Sequence, residues 1–130
     1  MKFVIIIAIA FVLFSSIFVI NSAFAQSYTG VLKLDSIPSN VKAGGIITFS
    51  GTLTTTDGRV VQDATIYIKD DVDFDIDTVL GTVTTDESGK FSADWKAVTR
   101  SSGSYDFYAV YEGGGNISSS RSVTQTVNVL

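Results

Sequence analysis

The chain has 130 residues, no cysteine, no histidine and a formal net charge of -4. The missing residue types exclude a disulfide framework, thiolate zinc sites, and the Ser-His and Cys-His arrangements of nucleophilic catalysis. The negative balance, with basic residues scattered singly, excludes the clustered Lys/Arg face that a nucleic-acid binder needs.

Residues 1–25 read as a signal peptide. Lys2 is followed by an apolar run from Phe3 to Ile20, broken only by Ser15 and Ser16, and then by the small-x-small site Ala23-Phe24-Ala25. Cleavage after Ala25 leaves residues 26–130, and losing Lys2 takes the charge from -4 to -5. The alternative is an uncleaved anchor, since the run is near the roughly 18 to 20 residues that span a bilayer. Either way the folded part lies outside the cytoplasm, and membrane contact is confined to this segment. About a hundred remaining residues make a single domain with a single core.

Tyr28 to Asp35 alternates as a first strand with Leu32 and Leu34 inward, and Pro38 ends it. Ile47, Phe49, Gly51 and Leu53 share one face of a second strand, with Thr48, Ser50, Thr52 and Thr54 on the other. Thr56-Asp57-Gly58-Arg59 is a hairpin-type turn, and Ala64 to Ile68 makes a third strand with Ile66 and Ile68 inward. The acidic loop Lys69 to Thr78 follows.

From Gly81 to Trp95 the sequence predicts a hairpin. Val79, Gly81 and Val83 share a face, Asp86-Glu87-Ser88-Gly89 makes the turn, and Phe91, Ala93 and Trp95 resume the alternation. Gly89 is expected at positive φ, and Asp86 is expected to accept from the backbone two residues on. Tyr105, Phe107, Ala109 and Tyr111 line one face of the next strand, and Val123, Val127 and Val129 mark the last. Seven strands with turn signals between them, and no helical period, predict an all-β, immunoglobulin-like antiparallel β-sandwich over residues 26–130.

The runs VKAGGIITFSGTL, GRVVQDATIYI, TTDESGKFSADW and YDFYAVYEGGGNISSSRSVTQTVNV carry a resemblance. They are similar to the Ig-like and carboxypeptidase-regulatory-like repeats of archaeal and bacterial exported surface proteins. The matching positions are Gly51 and Leu53, then Thr85, Asp86, Gly89 and Phe91, then Tyr108, Ala109, Tyr111 and Gly113. The spacing in the late strand departs slightly from those repeats, and Trp95 stands without the flanking cysteines of antibody domains. The resemblance implies spacers, adhesins, carbohydrate-binding accessories or subunits of surface layers, and hence a structural, adhesive or assembly role without catalysis. A small exported domain rich in Ser and Thr and without an evident site is expected to associate with cell-envelope proteins or with further copies of itself through sheet edges. The alternative, from the acidic loop beside two tyrosines, is a calcium-dependent binding module for glycans.

The strongest candidate for a site is the run Asp70-Asp71-Val72-Asp73-Phe74-Asp75-Ile76-Asp77. Calcium takes several oxygen ligands at once, and Asp71, Asp73, Asp75 and Asp77, joined by Asp86 from the next turn, could supply them. Ile76 stands where an EF-hand needs glycine and Thr82 where it needs its bidentate Glu, so no EF-hand is present. The competing reading is a solvated loop that keeps a sheet edge from pairing with other chains. Asn116-Ile117-Ser118 is an N-glycosylation triplet. An isopeptide bond between Lys33 and Asn128 is disfavoured, because alternation puts both outside. Tyr67 and Tyr108 fall opposite the apolar faces and are the expected exposed pair for sugar stacking, with core packing the commoner role for such residues.

Overall fold

The computed structural model describes residues 26–130, so the expected targeting segment 1–25 lies outside the described residues. Alternation decides most of the architecture. The strands are β1 (Gly30–Leu34), β2 (Asn40–Val41), β3 (Ile46–Thr55), β4 (Thr65–Asp70), β5 (Thr78–Thr84), β6 (Lys90–Lys96), β7 (Ser104–Tyr111), β8 (Ser120–Arg121) and β9 (Gln125–Val129). Seven coincide with the expected strands; β2 and β8 add two residues each, too short for any periodicity to reveal. No helix occurs among the described residues.

Two sheets face each other. One has the order β1-β3-β6, and the other β2-β9-β7-β4-β5 with β8 also on β7. All pairs are antiparallel except β2 with β9. Leu32, Leu34, Ile47, Phe49 and Leu53 from the smaller sheet pack against Ile66, Ile68, Phe107, Ala109 and Val127 from the larger. At the centre the rings of Phe49 and Phe107 meet edge to face at 4.9 Å, and Trp95 packs at 5.0 Å on Tyr105 and 5.2 Å on Phe107.

The hairpin expected from Gly81 to Trp95 is not formed. β5 pairs with β4 and β6 pairs with β3, so the segment 85–89 carries the chain from one sheet to the other. The local turn chemistry is as expected: Gly89 has φ 72°, and Asp86 Oδ1 accepts from the Ser88 amide at 2.8 Å. The corner itself is held by Thr85, which is buried; its hydroxyl accepts from the Ala64 amide at 2.9 Å and donates to the Val61 carbonyl at 2.7 Å. Residues 61–64 are another crossing between the sheets, because Asp57-Gly58 turns the chain back for one bridge, Thr54 to Val60, before it leaves for β4. The two crossings are thus laced together.

The expected face of β5 is also corrected. Ile68 pairs with Gly81 and Lys69 with Val79, leaving Leu80 as the extra residue of a bulge. The bulge breaks the period of two, so Leu80 and Val83 pack on the core while Val79 is exposed. In the last strand Val127 and Val129 are buried as expected, but Val123 precedes β9 and is exposed.

Candidate interaction surface

The acidic run does not act as one unit. Asp70 belongs to β4 and is 1% exposed; its carboxylate accepts from Arg100 Nη1 at 2.5 Å and from the Asp106 amide at 3.1 Å. Asp71 lies 3.6 Å from Arg121. Asp75 accepts from the adjacent Ile76 amide at 2.8 Å. Asp77 accepts from the Val72 amide at 3.1 Å and from the Tyr108 hydroxyl. Asp73 is exposed and, with Asp71 and Arg100, borders a shallow depression. Asp86 is engaged in its own turn by the amides of Ser88 and Lys90. Among the described residues no three carboxylates converge as metal ligands would, so the structure does not bring Asp71, Asp73, Asp75, Asp77 and Asp86 together.

These bonds set the protonation of two acids. The Tyr108 hydroxyl, and then the Val72 amide, hold Asp77 below the usual carboxylate range; the Lys90 and Ser88 amides do the same for Asp86. Burial, followed by the hydrogen bond to Asp77, pushes Tyr108 up to about 12.

Tyr108 corrects the expectation of an exposed tyrosine pair. It points away from the core, as alternation requires, but is only 4% exposed because the Arg121 guanidinium lies 3.6 Å above its ring and Asp77 covers its hydroxyl. The outer face is covered by Arg121 of β8 and by the 71–77 loop, which strand periodicity does not register. Tyr67 is half-buried and borders a cleft of about 510 Å³ with Asp63, Tyr111, Glu112 and Asn116. Asn116 is exposed, and its Nδ2 donates to the Gln26 carbonyl at 2.7 Å. In the same triplet the Ser118 hydroxyl accepts from the Gly30 amide at 3.0 Å. Lys33 and Asn128 are exposed on different sheets.

The feature that sequence reasoning missed is an open sheet edge. At β1, Ser118 and Ser120 hydroxyls cap the amides of Gly30 and Leu32, both at 3.0 Å. β2 is two residues long and follows Pro38, and β6 carries Lys90, Asp94 and Lys96, all exposed. Short, charged or covered edges resist pairing with another chain. β5, by contrast, is a seven-residue edge strand, TVLGTVT, without charge or proline. Among the described residues no hydrogen bond joins its backbone to anything beyond β4. A hairpin from Gly81 to Trp95 would pair this strand with β6 and so hide the edge.

A comparison with curated proteins returns no match. The family model for the bacterial Ig-like domain, group 3, matches residues 34–130, which takes in every strand after β1 together with the last residue of β1. The two facing sheets, the buried aromatic centre and this match agree, and the chain belongs to the bacterial Ig-like domain (group 3) family.

Proposed function

We propose that the chain is an exported structural module of the cell surface that joins envelope polypeptides by edge pairing and performs no catalysis. The observation that carries this reading is the uncovered β5 edge in a sandwich whose other edges are capped, short or charged. A free edge offers backbone donors and acceptors at a fixed spacing, which is how one β-sheet recruits an extended segment from another chain. Family membership supports the surface or structural part of the proposal. Chemical cross-linking on intact cells tests it. The wild-type chain should give discrete higher-mass adducts, and Thr82→Lys, which places a charge in mid-edge at an exposed position, should lose them. Absence of wild-type adducts, or adducts unaffected by Thr82→Lys, would contradict the proposal.

A second reading, a calcium-dependent module for glycans, rests on the cleft beside Tyr67, where an aromatic ring meets Asp63, Glu112 and Asn116. A thermal melt with EDTA and with millimolar calcium separates the two. Edge pairing predicts an unchanged melting temperature, whereas preferential calcium binding to the folded state raises it by mass action.

A further inference from the structure

The chemistry of the β5 edge specifies what pairs with it. β5 itself is uncharged, but both its ends are acidic: the 71–77 loop precedes Thr78, and Asp86 and Glu87 follow Thr84 within three residues. The acids nearest the strand lack direct ion-pair partners. Among the described residues no cation lies within salt-bridge distance of Asp73, Asp75, Asp77, Asp86 or Glu87; the carboxylates that do have such partners are Asp57, Asp70 and Asp71.

Self-pairing therefore opposes like charges in either direction. Two copies placed antiparallel through β5 bring the 71–77 loop of one beside Asp86 and Glu87 of the other, twice over by symmetry. Two copies placed parallel bring loop to loop and turn to turn. Like charges facing across a strand pair destabilise it. The acidic ends thus remove a second copy of this chain from the candidates while leaving the edge open.

We infer that the β5 edge accepts an extended segment of a different polypeptide, with an uncharged, β-prone centre and Lys or Arg at both ends. This inference rests on the edge-pairing reading above and deepens it by naming the occupant. The backbone of the segment continues the sheet beyond β5. Its regular pairing covers Gly81 to Thr84, because the bulge at Leu80 interrupts the ladder on the other side. Its basic ends lie against the 71–77 loop at one side and the Asp86–Glu87 turn at the other, and those contacts select it from other strands of equal β-propensity.

Two labelled synthetic peptides of sequence KKTVTVTKK and EETVTVTEE, both with blocked termini, test this against the purified chain by fluorescence anisotropy. The lysine-ended peptide should bind at least about tenfold more tightly, and its advantage should vanish in about 0.5 M salt, where charges at the surface are screened. Thr82→Lys and Thr84→Lys, both at exposed positions, should abolish binding without changing the melting temperature. Equal binding of the two peptides, or tighter binding of the glutamate-ended one, overturns the inference. A salt-stable dimer of the chain alone in light scattering, lost in Thr82→Lys, also overturns it by making a second copy the occupant, and leaves edge pairing standing. If neither peptide binds while the cellular cross-links still depend on Thr82, this inference fails and edge pairing stands. If the cross-links also fail, both fall.

Discussion

The carboxylate of Asp70, at the end of β4, accepts a 2.5 Å hydrogen bond from Arg100 in the loop before β7, and the same guanidinium lies 4.2 Å from the centre of the Tyr105 ring. Asp70 also holds the Asp106 amide, so a single buried acid ties a loop and two strands together. Removing the cation alone strands a buried charge, which costs about 3 to 5 kcal/mol where such pairs are broken. Arg100→Ala should therefore destabilise the domain more than Asp70→Asn, which is left neutral and keeps an acceptor for the Asp106 amide. Urea denaturation of the two variants checks the order.

A different contact limits the smaller sheet. A Cβ at Gly51 would lie 2.0 Å from the Lys33 carbonyl and 2.6 Å from the Phe91 ring, its two neighbours across β1 and β6. Gly51→Ala should unfold the domain or cost several kcal/mol, since backbone on one side and a core ring on the other must both move. Gly58, at φ 88° in the turn after β3, has nothing within 4 Å of the same added atom. Gly58→Ala should cost only its backbone strain, on the order of 1 kcal/mol. Equal melting temperatures for the two variants would contradict the close packing at Gly51.

Stability should also fall in alkali through one residue. Tyr108 is raised from 10.0 to about 12 in the folded state, first by burial and then by its bond to Asp77. A folded pKa above the unfolded one gives stability that is present below pH 10 and lost as the pH rises toward 12. At the acid end the sign reverses. Asp77 and Asp86 are held below 3.8, so their contribution is present above that value and fades as the pH falls further. Tyr108→Phe should remove the Tyr108 share of the alkaline loss and weaken the acid-side dependence through Asp77. Melts across both pH ranges check this, and an unchanged alkaline profile would contradict the bond.

The fold class and nearly the whole core were legible, because half-buried strands write their inner face directly into the sequence. Ile47, Phe49 and Leu53, or Tyr105, Phe107 and Ala109, announce it by position alone. Which strand pairs with which was not legible at 79–95. Asp86 to Gly89 carries the same turn chemistry whether the next strand returns to the same sheet or crosses to the other, and the decision lies with Thr85 and its partners at Val61 and Ala64. The bulge at Leu80 and the covering of Tyr108 by Arg121 are likewise tertiary events. The acidic run looked like one site because its residues are consecutive. Asp70 turns into the sheet, while Asp71 and Asp77 engage Arg121 and Tyr108 on its outer face.

Amide hydrogen exchange along β5 reports on the open edge itself. A free edge bonded on one side only predicts that some amides between Thr78 and Thr84 are protected by β4 while the outward ones exchange quickly, with β3 and β7 slow throughout. Adding the lysine-ended peptide should slow the outward set alone. Uniform protection of β5 in the free protein, or protection shared with Lys90 to Lys96 as in a hairpin, would contradict the open edge on which the account depends.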